Sequence, residues 1–164
     1  MITIGIDPGT ALLGYGVVSG IDEPTMLAFG AVETDSGSTP GVRLELIYDR
    51  LIDLLDEYDP DVMAVEQLFF ARNVTTALAV GQARGVALLA AAKRGLEVFE
   101  YKPSEVKLAV AGYGGADKRQ VQEMVRIILG LDSVPRPDDA ADALAVAICH
   151  ASSSRFFEAT AREQ

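Results

Sequence analysis

Apolar positions along the chain follow two periods, and the switches between them mark the elements. Ile2 to Asp7 is a short β-branched run ended by Pro8-Gly9, which is the pattern of a buried strand. Gly14 to Ser19 and Met26 to Thr34 predict two further strands around a turn at Gly20 to Thr25, giving an antiparallel three-stranded start. A Gly/Ser/Thr/Pro loop covers Ser36 to Gly41. From Val42 to Tyr58 the period becomes helical, with Leu44, Ile47, Leu51, Leu54 and Leu55 in one apolar stripe. Asp61 to Glu66 predicts a strand, Val74 to about Lys93 a long helix, and Leu96 to Tyr101 another strand. Pro103 to Ala111 predicts a short helix. Asp117 caps a further helix reaching Leu129, with Gly130 just past its end. Pro135 and Pro137 enforce an extended approach to a last helix from Asp138 to about Ala151.

This order describes a mixed five-stranded α/β sheet with helices on both faces. The strands ending at Asp7 and Glu66 are expected at its centre, because both are continuously apolar. The order is compatible with a ribonuclease-H-like fold. One domain is expected over residues 1–151, followed by a flexible C-terminal tail over 152–164 that is small and polar.

At 164 residues the chain suits a single domain. Its N-terminal apolar run is short and lacks a basic start, so it does not resemble a signal peptide. No segment is expected to approach the roughly 18 apolar residues that span a membrane. The single cysteine, Cys149, excludes an internal disulfide. A cytoplasmic protein is the expectation. The formal net charge of −10 argues at first against nucleic acid, but its distribution matters more. Between Gly20 and Val65 eleven acids face two bases, whereas between Gln67 and Arg126 nine bases face five acids.

The candidate chemistry lies in acids where a core should be. Asp7 and Glu66 each end a buried-type strand, and such side chains are rarely buried without a partner. Asp139 and Asp142 are three apart and share a helix face, where like charges repel unless a cation lies between them. Spacing alone leaves Asp138, four residues from Asp142, equally open. Ala140, Ala141, Ala143 and Ala145 are small enough for this helix to pack close against the sheet. Carboxylates without paired His or Cys suit a hard cation, Mg²⁺ or Mn²⁺, and not zinc. Two such ions about 3.5–4 Å apart serve phosphodiester hydrolysis, with Asp7 as the natural bridging ligand.

Four segments carry a family likeness: Ile-Gly-Ile-Asp7-Pro-Gly-Thr with Gly-Tyr-Gly-Val, Val-Glu66-Gln-Leu-Phe69, Gly81-Gln-Ala-Arg84-Gly-Val, and Asp139-Ala-Ala-Asp142-Ala-Leu-Ala. Taken in order they resemble the RuvC family of Holliday-junction resolvases over nearly all of the chain to about His150. The resemblance implies a ribonuclease-H-like nuclease domain, a homodimer, and two Mg²⁺ or Mn²⁺ ions per active site. It implies symmetric nicking of two like-polarity strands of a four-way DNA junction in recombination and repair, leaving 5′-phosphate and 3′-hydroxyl ends. It assigns Asp7, Glu66, Asp139 and Asp142 as catalytic metal ligands, which leaves Asp138 as a helix cap. Phe69 matches an aromatic that stacks on exposed bases, and Lys107 and Lys118 match phosphate contacts. Arg119, which follows the Gly114-Gly115 loop with Lys118, is a further DNA-binding candidate, and Arg72 and Arg84 are weaker ones. The long helix around Leu78, Val80, Ala83, Val86, Ala87 and Ala90 is apolar on more than one stripe, and one side is expected to meet a second subunit. A branch-migration complex of the RuvA/RuvB type is a further implied partner. His150 reads as structural. The basic tail of the family is not evident, since Arg155 and Arg162 are balanced by Glu158 and Glu163.

Three other readings stand beside this one. Asp7-Pro-Gly-Thr10 also resembles the phosphate turn of actin-like phosphotransferases, which need two domains. An RNA-processing nuclease of the same fold, and a non-catalytic junction-binding module, complete the set.

Overall fold

The computed structural model describes residues 1–67 and 74–162, and the side chains through 154. Five strands and five helices follow in the order β1 (Ile2–Asp7), β2 (Leu12–Ser19), β3 (Thr25–Glu33), α1 (Pro40–Tyr58), β4 (Val62–Glu66), α2 (Val74–Lys93), β5 (Glu97–Tyr101), α3 (Pro103–Ala111), α4 (Lys118–Ile128) and α5 (Asp138–Arg162). The sheet order is β3-β2-β1-β4-β5, with β1–β2 and β2–β3 antiparallel and β1–β4 and β4–β5 parallel. The strand ending at Asp7 is therefore central, with the strand ending at Glu66 beside it.

The period-2 alternation divides the core between two faces. Ile4, Ile6, Leu13, Val17, Met63 and Val65 point to one face and pack on Ile47, Leu51, Leu54 and Leu55 of α1 and Ala83, Ala87, Ala90 and Ala91 of α2. Val18 and Ala64 point to the other, against α5, with Val106 and Val110 of α3 and Val121 and Val125 of α4. Arg84 on α2 pairs with Glu100 on β5, and Arg94 pairs with Asp56 on α1, which ties the first layer together.

On the second face the sheet is stripped of side chains under α5. Gly5 pairs with Gly16 and Asp7 with Gly14 across β1 and β2. A Cβ on Gly5 would overlap the Ala143 carbonyl oxygen and reach 2.9 Å from the Ala147 nitrogen. A Cβ on Gly14 would overlap the backbone of Asp139, and one on Gly16 would come to 2.7 Å from the Leu144 side chain. Ala140, Ala143 and Ala147 present the matching small surface, all at 0% exposure. Backbone thus lies on backbone, closer than any larger residue permits.

Two sequence expectations need amending. The last helix does not stop near Ala151 but continues to Arg162. The small polar residues join it: the Ser153 hydroxyl donates to the Cys149 carbonyl at 2.9 Å, one turn back, and so stays within the helix. In addition, α2 is long and apolar enough to cross a membrane by length and composition. Four alanines of this helix lie in the core, and Val74, Leu78 and Leu89 on its outer side are 72%, 63% and 51% exposed.

The contact predicts a steep cost for a single methyl. Gly5→Ala is expected to destabilise the fold by about 3 kcal/mol, the upper range for overpacking, in urea unfolding. Gly41→Ala, where nothing lies within 4 Å of the added carbon, is expected to cause no loss.

Candidate active site

The site grows from the sheet edge. β1 and β4 are parallel neighbours, with Ile6 opposite Val65, so Asp7 and Glu66 emerge together at their C-terminal ends. Asp7 follows Gly5 in the alternation and Glu66 follows Ala64, so both carboxylates face α5. The glycine contact then sets the helix. The backbone of Asp139 lies on Gly14, the strand partner of Asp7, and Asp142 follows one turn later on the same side of α5.

These acids edge a cavity of about 190 Å³ lined by Asp7, Glu66, Asp142, Lys107 and Lys118, with an apolar wall from Pro103, Val106 and Val121. Lys118 is the first residue of α4 and is placed by a reciprocal cap. The Gln120 N–H donates to Asp117 Oδ1 at 2.8 Å, and the Asp117 N–H donates to Gln120 Oε1 at 2.9 Å. From there the Lys118 ammonium donates to Asp142 Oδ2 at 2.9 Å and lies 3.6 Å from Asp138. Lys107 reaches the same cavity from α3, near enough to act electrostatically on Glu66.

The charges are under strain. Burial, and then repulsion from Asp142, Asp139 and Glu66, pushes the Asp7 carboxyl from 3.8 up to about 7. Burial also raises Glu66, with Asp142 adding to it while Lys107 and Lys118 pull the other way. Asp142 is raised by burial even though Lys118 opposes the shift. Burial is the largest single influence on Lys118 and lowers it, but the hydrogen bonds and charges of Asp142 and Asp138 together outweigh it and hold the ammonium above its ordinary value. Two lysines do not neutralise the cluster.

The structure brings together Asp7, Glu66, Asp142, Lys107 and Lys118. Asp139 does not line the cavity, but its charge acts on both Asp7 and Asp142. As placed, no three His, Cys, Asp or Glu side chains among the described residues form a group able to hold one metal ion. The cation on Asp142 is Lys118. Arg119 lies outside the acid cavity, lining a separate one with Tyr113, Gln120 and Met124. Phe69 and Arg72 lie outside the described residues. Arg84 is engaged by Glu100. Asp138 is not a cap. It is the first residue of α5, and its carboxylate pairs with Arg136 and Lys118. Sequence reading missed the apolar wall and the Lys118–Asp142 pair. Only the cap at Asp117, which fixes where α4 begins, signalled the second.

The Asp7 shift has a stability consequence without divalent cations. A folded value of about 7 above an unfolded 3.8 means the carboxyl costs nothing below about pH 4 and progressively more up to about pH 7. Asp7→Asn is therefore expected to melt above the wild type at pH 8, the gap closing as pH falls towards 4. Equal melting temperatures at pH 8 would contradict the shift.

Comparisons with known proteins agree with this geometry. Residues 3–150 match the family model described as crossover junction endodeoxyribonuclease RuvC. A crossover junction endodeoxyribonuclease RuvC from Chloroflexus aggregans is 60% identical over 152 residues, covering 92% of this chain and 93% of the relative. The structure of Thermus thermophilus RuvC in complex with Holliday junction substrate superposes with a TM-score of 0.91 at 42% identity, covering 95% of this chain and 96% of that one. The yeast mitochondrial Holliday junction resolvase Ydc2 shares the fold, with a TM-score of 0.67 at 15% identity over 92% of this chain and 78% of its own. With its central Asp7 strand, its neighbouring Glu66 strand and a closely seated acidic helix, this chain belongs to the RuvC family of crossover junction endodeoxyribonucleases.

Proposed function

We propose that the chain resolves Holliday junctions by nicking two like-polarity strands at symmetric positions. The observation that carries this is the convergence of Asp7, Glu66 and Asp142 with Lys107 and Lys118 on one cavity, in a chain that superposes on a junction-bound relative. The hydrolysis adds water to phosphorus and breaks the bond to the 3′ oxygen, leaving a 3′-hydroxyl and a 5′-phosphate.

The donor set fits a hard divalent cation. It is all carboxylate oxygen, and Asp7, Glu66 and Asp142 are raised by burial, so positive charge at the cavity relieves a cost already present. Asp7, Glu66, Asp139 and Asp142 would hold Mg²⁺ or Mn²⁺, two per site, supplying an activated water and charge neutralisation at the leaving oxygen. Lys107 and Lys118 flank the acids and hold the phosphate oxygens, Lys118 exchanging its pair with Asp142 for the substrate. The apolar wall of Pro103, Val106 and Val121 excludes water from that side. Phe69 stacks on an unpaired base, where such contacts are worth about 1–3 kcal/mol, and Arg72 and Arg119 contact the DNA backbone. The nuclease domain comprises residues 1–151.

Two cuts related by symmetry call for two copies of the site. The outer side of α2 supports a homodimer. Val74, Leu78 and Leu89 are large, exposed and grouped on one side of the helix, which is unusual for a solvent-facing surface. A branch-migration complex of the RuvA/RuvB type is the partner expected to load such a dimer.

A synthetic four-way junction, a linear duplex and a structured RNA offered with Mg²⁺ or Mn²⁺ separate the readings. Selective nicking of the junction is expected. Cutting of the RNA alone would transfer the site to RNA processing. Asp7→Asn is expected to bind the junction with unchanged affinity and to lose at least about 100-fold in cleavage rate, no less than the upper range for the outer supports of a metal site; cleavage retained by the variant would move the hydrolysis away from Asp7, and a wild type that binds the junction without nicking it would leave only a binding module. Leu78→Glu is expected to convert the dimer to a monomer in sedimentation velocity, and an unchanged dimer would place the interface elsewhere.

A further inference from the structure

His150 is the only histidine, is 3% exposed, and has no part in the chemistry described above. An apolar residue would fill the same space, yet both ring nitrogens are engaged. Nδ1 shares a hydrogen bond with the Tyr101 hydroxyl at 2.7 Å, and Nε2 shares one with the Ser154 hydroxyl at 3.1 Å. The ring also lies against Phe99 with centroids 4.5 Å apart. A neutral imidazole has one donor and one acceptor, so it satisfies both partners at once. Burial lowers the His150 pKa and keeps it in that form.

What Tyr101 does at its other end gives the pair a purpose. It is the last residue of β5 and the strand partner of Glu66. Its carbonyl accepts the Gln67 N–H at 2.7 Å, directly after Glu66. The next residue, Lys102, opens α3, whose Pro103, Val106 and Lys107 line the acid cavity. His150 in turn sits on α5, eight residues beyond Asp142, about 12 Å along the axis. The Tyr101–His150 bond therefore joins the strand ends that carry Glu66 to the helix that carries Asp139 and Asp142.

We infer that His150 is a positioning residue of the active site, which acts through Tyr101 to hold Glu66 and α3 in register with the carboxylates of α5. The inference rests on the proposed metal centre. Loss of the link leaves every ligand present but lets the two ligand-bearing elements drift, and outer supports of metal sites commonly cost 10–100-fold when removed.

The test compares His150→Phe, which keeps a ring against Phe99, with Tyr101→Phe, which keeps the carbonyl bond to Gln67. Mn²⁺ binding to the full chain is followed by electron paramagnetic resonance, alongside kcat and KM for junction nicking and thermal melts. Each variant is expected to raise the half-saturating Mn²⁺ concentration on the order of tenfold and to lower kcat, with KM for the junction within about twofold of wild type. The combined variant is expected to be no worse than either single one, because both break one link. His150→Gln, which can still hydrogen-bond, is expected to recover part of the loss. Mn²⁺ binding and kcat within twofold of wild type in Tyr101→Phe would overturn the inference, even if His150→Phe is impaired or fails to fold, since His150 would then only fill space. Additive losses would overturn it too. A wild-type chain that takes up no Mn²⁺ would refute the metal centre itself, whereas wild-type Mn²⁺ uptake with silent variants would refute only the link.

Discussion

Everything at the site depends on how closely α5 lies on the sheet. Gly5, Gly14 and Gly16 remove three side chains from the middle of β1 and β2, and Ala140, Ala143 and Ala147 leave little on the helix to keep them apart. The distance is therefore set by backbone meeting backbone, which is stiff and has one solution. Asp139 rests on the strand partner of Asp7 because of it, and Asp142 follows by helical geometry alone. A helix seated a few ångströms higher, as larger residues would require, would still fold into a recognisable layer. It would not bring a helix carboxylate within reach of Asp7.

That proximity has an electrostatic cost which the fold does not offset internally. Asp7 is held at about 7 by burial and by its acidic neighbours, and the nearest cation is shared between Asp138 and Asp142. Packing energy elsewhere keeps these like charges together. The result is a cavity that favours added positive charge, with Lys118 moderating the repulsion. The overall charge of −10 is no obstacle to this. The bases that matter are few and local, and several others, including Arg84, Arg94 and Arg126, are already spent on ion pairs within the fold.

Much of this was legible in the residues, for identifiable reasons. Strands such as Ile2–Asp7 and helices such as Pro40–Tyr58 have unambiguous periods, and acids ending apolar runs at Asp7 and Glu66 stand out against any core pattern. The alanines of α5 announced close packing. Their counterparts did not, because a glycine in a strand signals a close approach without naming what approaches. The extension of α5 beyond Ala151 was hidden by serines, which are poor helix formers in isolation yet bond back to the preceding turn here. The role of Asp138 depended on Arg136 and Lys118, one local and one distant, and composition does not rank such partners. His150 reads as structural, which its burial bears out, but its partners Tyr101 and Ser154 were hidden because the Glu66–Tyr101 strand pairing lies in no local pattern.

The central claim is that the carboxylates of β1, β4 and α5 constitute one metal centre, assembled by the close seating of α5. Anomalous diffraction from Mn²⁺-soaked crystals of the full chain tests it most directly. The account predicts anomalous peaks at the cavity bounded by Asp7, Glu66 and Asp142, within coordination distance of their oxygens and of Asp139. Peaks confined to other acidic surfaces, with this cavity empty in protein that still nicks junctions, would contradict it.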